Sequence, residues 1–160
     1  MMYVTVGTMH LEFARLIRAM DAIAVASKEE VVVQTGMSRC VPEHCAHFDF
    51  KPREEVEAIQ REARVVVAHA GIGSVIDALK AARPLIVVPR LRRFGEHNND
   101  HQLELARAVE ARGWGRMIED IEELPQACAD PPAAYAGYVP AKDSLIVAVR
   151  AAIEKGLSAS

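Results

Sequence analysis

The chain has 160 residues, 51% of them hydrophobic, enough to bury the core of a single globular domain over residues 1–160. Its 19 Lys and Arg residues against 22 Asp and Glu residues give a formal charge of −3, which disfavours nucleic acid as the main partner. No uncharged apolar stretch approaches the roughly 20 residues that a membrane-spanning helix needs, and no secretory signal pattern opens the chain, so we expect a cytoplasmic protein.

The first half of the chain alternates between β-branched runs and helical spacings. Tyr3 to Val6 predicts a strand, and apolar residues then recur at intervals of three and four, as in an amphipathic helix. Val31 to Thr35 and His47 to Phe50 predict two further strands, and Pro52 opens a helix through EEVEAIQREA. The apolar residues of the first helix are Phe13, Leu16, Ile17 and Met20.

The second half continues the alternation. Its predicted elements are a strand (Val65 to Ala68), a helix (Ser74 to about Ala82), a strand (Leu85 to Pro89), a helix (about Asn99 to Ala111), a weak strand (Arg116 to Ile118), a short helix and a last helix (Asp143 to about Lys155). We predict that Val75, Ala78, Leu79 and Ala82 share the sheet-facing side of their helix. Asp120 is expected to cap the short helix and Pro125 to stop it.

Strands separated by helices, with central strands apolar throughout, predict a parallel sheet covered on both faces. We therefore predict an α/β fold, a Rossmann-like doubly wound sheet of about six strands. Ligands of such sheets bind outside the carboxyl ends of the strands, near the point where strand order reverses. The loops that this rule selects are Gly7-Thr8, Gly36, Phe50 to Pro52, His69 to Ser74 and Pro89 to Asn99.

The stretch HAGIGSVIDALK begins at His69, directly after a predicted strand. Gly71 and Gly73 would let a ligand approach the backbone, and the helix after them would aim its free N–H groups at an anion. The turn lacks the third glycine of a dinucleotide fingerprint and the GK[ST] of a P-loop, so it is equally consistent with a turn that has only a structural role. Asp77 would face away from the sheet, where it could bind a ribose diol. The alternative is an acidic residue that only stabilises the start of the helix through its dipole.

Amides and imidazoles concentrate after the fifth predicted strand. His97, Asn98, Asn99, His101 and Gln102 follow three arginines, Arg90, Arg92 and Arg93. Side chains that both donate and accept hydrogen bonds suit the hydroxyls of a sugar. The alternative is a helix cap at Asn99 or Asp100 with the remaining side chains in solvent.

The cysteines suggest reduced thiols, since three is an odd number in a chain without an export signal. Cys40 and Cys45 lie near His44 and His47, as zinc ligands could, but a second, separated ligand pair is lacking. We therefore favour a polar loop leading into a short strand and predict no metal site.

The segments VTVGT, HAGIGSVIDALKAARPLIVVP and NNDHQLELA together resemble the C-terminal, donor-binding half of GT-B glycosyltransferases of family 28, from Tyr3 to about Gly113. The resemblance is greatest to free-standing cytosolic subunits of two-part transferases, which act in dolichol-linked N-acetylglucosamine transfer and in bacterial exopolysaccharide and capsule synthesis. It implies that this domain is one half of a GT-B fold and that its substrate is a UDP-sugar, with no other cofactor.

The resemblance also implies roles for individual residues. Gly71 to Ser74 would face the donor diphosphate, Asp77 would hold the uridine ribose, His101 and Gln102 would contact the donor sugar, and Phe50 to Pro52 would lie near the uracil. The full set implied at the donor is Gly7, Thr8, His69, Gly71, Gly73, Ser74, Asp77, Asn99, His101 and Gln102.

Such an enzyme would invert the anomeric centre without a metal and transfer a hexose or N-acetylhexosamine to a lipid-linked acceptor. The general base would belong to a membrane-associated partner that recruits this chain to the membrane, so no catalytic residue is expected here. The C-terminal helix 143–156 would dock that partner, or else pack on its own sheet. A non-catalytic module that stabilises a partner transferase is the alternative, and a nucleotide-sugar epimerase is a third hypothesis.

Overall fold

The structure is a computed structural model that describes residues 1–138. Its strands are β1 (Met2–Thr5), β2 (Val31–Gln34), β3 (Ala46–Phe48), β4 (Val65–His69), β5 (Leu85–Val88) and β6 (Arg116–Met117). Its helices are α1 (Ala14–Ser27), α2 (Arg53–Glu62), α3 (Ile72–Lys80), α4 (His101–Ala111) and α5 (Leu124–Ala129), with 3-10 turns at Arg92–Phe94 and Ile121–Glu123. The last predicted helix, from Asp143, lies outside the described residues.

The six strands form one parallel sheet in the order β3-β2-β1-β4-β5-β6. Alternate residues of the central strands point to opposite faces, where helices cover them. On one face Met2 and Val4 pack with α1 and α5, and on the other Tyr3 and Val66 pack with α3 and α4. This arrangement confirms the predicted Rossmann-like, doubly wound fold.

The strand order reverses between β1 and β4. The chain first moves outward from β1 to β2 and β3, then returns to the other side of β1 with β4. Thr5 pairs with Gln34 on one side and with Ala68 on the other, so the carboxyl ends of these three strands lie together at one end of the sheet, its carboxyl edge. The loops after β1 and β4 therefore meet at the switch point, where a doubly wound sheet places its ligand.

The helix after β4 differs from its prediction at both ends. It begins at Ile72 rather than Ser74, so Gly73 belongs to the first helical turn instead of the preceding corner. It ends at Lys80, and Ala82 turns with a φ of 49° in an exposed position instead of packing on the sheet. The chain must turn here to reach Pro84 and re-enter the sheet, and that turn displaces Ala82 from the helix.

The prediction for Pro125 is wrong. Asp120 does cap a turn, since its Oδ1 accepts a hydrogen bond from the Glu122 N–H at 3.1 Å, but Pro125 lies in the first turn of α5 rather than at the end of a helix. Proline is compatible with this position because the first N–H groups of a helix have no intrahelical acceptor and its fixed φ suits the helix.

Candidate functional site

The loop after β1 and the turn after β4 meet at the imidazole of His69. Gly7 has a φ of 78°, and a Cβ added to it would lie 2.5 Å from His69 Nε2. A Cβ on Gly71 would collide with the same ring. The side chain of His69 therefore explains why both positions are glycine, and it joins the two loops that the sequence placed at the switch point.

The environment of His69 keeps its ring uncharged at neutral pH. Burial, followed by the nearby guanidinium of Arg90, lowers the pKa of His69 to about 4. Its Nδ1 is buried and has no hydrogen-bond partner among residues 1–138. His69 can therefore contribute hydrogen bonding and shape at this edge, but no positive charge.

The first turn of α3 lies open beside this ring. The Val75 N–H donates to the carbonyl of Gly71 at 3.0 Å, so the N–H groups of Ile72, Gly73 and Ser74 precede the first intrahelical bond. A Cβ on Gly73 would meet nothing within 4 Å. Packing against His69 explains Gly71 but no contact explains Gly73, and the end of the helix is accessible to a ligand.

Asp77 lies one turn further along α3 and contacts α2. Its Oδ1 accepts a hydrogen bond from Nη2 of Arg53 at 3.0 Å, and one third of its side chain is exposed. A cavity of about 120 Å³ runs between the two helices and includes Asp77 in its wall. The carboxylate is therefore accessible, but it already has a basic neighbour that sequence spacing did not indicate.

The polar loop before α4 divides into structural and exposed groups. Asp100 precedes α4, but its side chain makes no capping bond to the helix and accepts instead from the Arg92 N–H at 3.0 Å, while Asn99 Oδ1 accepts from the His101 N–H at 3.2 Å. Gln102 is buried, and its Oε1 accepts from the Arg90 N–H at 3.1 Å. The ring of His101 is exposed, with Nδ1 3.4 Å from Glu104, so it is more accessible to a ligand than Asn99 or Gln102.

A buried ionic network behind these loops was missed by the sequence analysis. Arg90 is fully buried and donates from Nη1 and Nη2 to four backbone carbonyls, those of Val6, Leu11, Glu12 and Glu96. Arg15 binds the Glu96 carboxylate through Nε and Nη2, both at 2.9 Å. The network ties the loop after β1 to the loop after β5. Its one sequence signal is that Arg90 directly follows the apolar run predicted as a strand, Leu85 to Pro89.

The segment implied near the uracil is exposed at the same edge. Phe50 is 55% exposed, whereas Thr35, at the end of β2, donates from Oγ1 to Oδ1 of Asp49 at 2.9 Å. The strand ends at Phe48, two residues earlier than predicted, so Phe50 to Pro52 forms the approach to α2. The aromatic ring of Phe50 is free to contact a flat ligand.

The Cys and His residues between β2 and β3 do not converge. His44 contacts Asp21 through its backbone N–H at 2.7 Å and its Nδ1 at 3.0 Å, while the buried Cys45 faces the Met20 carbonyl. Among residues 1–138 no three His, Cys, Asp or Glu side chains are grouped closely enough to hold a metal ion. In the same range no helix has both the length and the apolar character needed to cross a membrane.

Fold and site together define a Rossmann-like domain whose helix end, polar loop and acidic side chain gather at one edge of the sheet. The sequence profile of the glycosyltransferase family 28 C-terminal domain matches residues 1–130, and the chain therefore belongs to that family.

Human ALG13, a UDP-N-acetylglucosamine transferase subunit, is 30% identical over 122 residues, which are 69% of this chain and 10% of that protein. The corresponding subunit of Eremothecium gossypii is 40% identical over 84 residues, 51% of this chain and 38% of that protein. The chain thus spans well under half the length of these relatives.

Solved structures agree on the fold. The solution structure of ALG13 superposes with a TM-score of 0.61 at 16% identity, covering 96% of this chain and 94% of that one. The calicheamicin glycosyltransferase CalG4 has a TM-score of 0.61 at 18% identity, covering 98% of this chain and 39% of that one. The domain therefore corresponds to one half of a GT-B fold.

Proposed function

We propose that this chain is the donor-binding subunit of a UDP-sugar glycosyltransferase. The observation that carries the proposal is the open first turn of α3, where a Cβ added to Gly73 would meet nothing within 4 Å and the helix end faces outward. A helix N-terminus of this kind binds phosphate through its N–H groups and dipole. Membership of family 28 makes a nucleotide diphosphate the ligand to test first.

We propose the remaining donor contacts from the residues that the family resemblance implies and that lie along the same edge. The loop at Gly7 and Thr8 lies beside the His69 ring, next to the proposed diphosphate. Asp77 would accept from the ribose. Of the polar residues Asn99, His101 and Gln102, His101 is the most exposed and would contact the sugar, whereas Gln102 would support this loop through its bond from the Arg90 N–H. The names of the relatives favour N-acetylglucosamine as that sugar.

The proposed reaction inverts the anomeric centre. A base on a partner removes the proton of the acceptor hydroxyl, the acceptor oxygen bonds to the anomeric carbon, and the bond from that carbon to the diphosphate oxygen breaks. UDP departs toward α3, whose N–H groups stabilise the new negative charge, and the proposal requires no metal. The acceptor would be lipid-linked, and this chain would be inactive alone.

Exposed hydrophobic side chains at the carboxyl edge of the sheet support the presence of a partner subunit. Four of the six exposed large hydrophobic side chains among residues 1–138 follow strand ends there: Met37, Phe50, Ile72 and Phe94. Apolar side chains grouped around a polar site are typical of an interaction surface. We propose that a membrane-associated acceptor-binding subunit covers this edge and recruits the chain to the membrane.

The substitution Gly73→Ala tests the proposal because it separates folding from binding. Alanine at this open helical position should stabilise the fold by up to about 1 kcal/mol, since glycine has the poorer helix propensity. The added methyl group would block close approach of a diphosphate, and we expect UDP to bind at least tenfold more weakly by isothermal titration calorimetry with the full chain. Arg107→Ala, an exposed change on α4, serves as the control and should leave UDP binding unchanged.

Two outcomes would contradict the proposal. If UDP does not bind the wild-type chain, the donor-binding role is lost, and stimulation of a partner without UDP binding would favour the non-catalytic module. If Gly73→Ala binds UDP as tightly as the wild type does, the diphosphate does not lie at α3.

A further inference from the structure

Arg53 connects the helix that carries Asp77 to the helix beside it. It is the first residue of α2, and its Nε donates to Glu57 Oε1 at 2.7 Å while its Nη2 donates to Asp77 Oδ1 at 3.0 Å. The i,i+4 contact with Glu57 anchors the guanidinium on its own helix. The contact with Asp77 then spans the boundary between α2 and α3.

Stability alone gives little reason for this pair. The Arg53 side chain is 66% exposed and that of Asp77 is 33% exposed, and ion pairs in such positions add little to folding. The pair nevertheless restrains the carboxylate. Oδ1 is held by Arg53, whereas Oδ2 has no hydrogen-bond partner in the part of the chain that the structure describes.

We propose that Arg53 is a positioning residue that orients the Asp77 carboxylate, leaving Oδ2 to accept a hydrogen bond from a ribose hydroxyl of the nucleotide. The inference rests on the proposed function, since it requires a nucleotide at this edge. A side chain held in its binding conformation loses less entropy when the ligand arrives, so the ribose contact becomes stronger. Arg53 would act through Asp77 rather than by touching the donor.

The test measures discrimination between two probes, UDP and 2′,3′-dideoxy-UDP, as the ratio of their dissociation constants for the full chain. The ratio isolates the ribose hydroxyls because the diphosphate and the uracil are common to both probes. A hydrogen bond to a carboxylate predicts a wild-type ratio of roughly ten or more. We expect Arg53→Ala to reduce it to about three and Asp77→Ala to about one, without any change in melting temperature for Arg53→Ala.

Arg61→Ala is the matched control. Arg61 lies on the same helix and its replacement removes the same charge, but its ion-pair contact is with Glu57, at 4.0 Å, and not with Asp77. We expect Arg61→Ala to keep the wild-type ratio, while Arg53→Lys, which retains a cation, should keep most of it.

The outcomes separate this inference from the proposed function. If UDP fails to bind the wild-type chain, both are overturned. If UDP binds and the wild-type chain discriminates, but Arg53→Ala keeps the full ratio or binds UDP more tightly, then Arg53 does not position Asp77 and the donor-binding role stands. If Asp77→Ala leaves the ratio unchanged, the ribose is held elsewhere and the inference also fails.

Discussion

Replacing Arg90 with methionine tests the buried network that joins the two loops of the site. Two of its hydrogen bonds are short, 2.8 Å from Nη1 to the Leu11 carbonyl and 2.8 Å from Nη2 to the Val6 carbonyl. Bonds from a charged donor contribute about 1.5–3 kcal/mol each, or about 3–6 kcal/mol for the two. Arg90→Met would leave their acceptors buried without that donor.

Part of this loss is offset. Burial opposes the charge of Arg90 and lowers its pKa to about 10, although the group stays protonated at neutral pH. Methionine does not carry that desolvation penalty and keeps much of the packing on Phe13, whose ring centre lies 4.7 Å from the guanidinium carbon. Glu96 keeps its two bonds from Arg15. We therefore expect a net loss of about 3 kcal/mol in the free energy of unfolding.

Equilibrium unfolding in urea measures this loss. With a slope of about 2 kcal/mol per M, Arg90→Met should lower the midpoint by about 1.5 M. Arg92→Met is the control, because Arg92 is an exposed arginine two residues away and should change stability by less than about 0.5 kcal/mol. A loss below about 1 kcal/mol for Arg90→Met would refute the reasoning that its carbonyl contacts hold the loops together.

Three further outcomes are expected. Gly7→Ala should cost about 2–4 kcal/mol, since it combines a left-handed backbone with a collision at His69, and adding His69→Ala should recover the collision part in a double-mutant cycle. Asp21→Asn should destabilise by about 1 kcal/mol near pH 5.5, where urea unfolding would detect it. Burial would raise the pKa of Asp21, but hydrogen bonds from His44, Glu43 and Cys45 together outweigh burial and lower it to about 2, while the bond to Asp21 raises the pKa of His44. Asp21 therefore contributes to the free energy of unfolding above about pH 4, and this contribution is lost toward pH 2. The contribution of His44 is present below about pH 6.5 and is lost as the pH rises through its raised pKa. In thiol titration with Ellman's reagent, Cys40 should react first, because burial raises the pKa of the other two thiols to about 12 and about 11.

Each of these outcomes has a result that would contradict it. If adding His69→Ala recovers no stability in Gly7→Ala, the His69 ring is not the reason that position 7 requires glycine. A pH-independent effect of Asp21→Asn would show that the ion pair with His44 is not what the substitution removes. Equal reactivity of all three thiols would show that two of them are less protected than their burial indicates.

The fold could be predicted because its determinants are local. Apolar runs such as Val65 to Ala68 identify strands, and a spacing of three and four identifies the helices between them, so the alternation alone implied a parallel sheet. Boundaries were less accurate, since the first turn of α3 and the position of Pro125 depend on how the chain enters each helix. Neither has a periodic signal.

The candidate site, like the fold, could be predicted only in part. The order of predicted strands and helices was enough to identify the loops at the carboxyl edge, because the carboxyl ends of parallel strands lie together. The sequence also identified the glycines, amides and acid that those loops carry. It could not assign their contacts. The ring of His69 requires glycine at position 7 although the two residues are far apart in the sequence, and only the pairing of β4 with β1 brings them together.

Which polar groups are structural and which are accessible became clear only from the three-dimensional packing. Arg90 and Gln102 are buried and occupied in joining loops, whereas His101 and the first turn of α3 are open. The packing also placed Arg53 against Asp77 across two helices. A charged or amide side chain is compatible with either burial among partners or exposure to solvent, and which of the two occurs depends on partners that are distant in sequence.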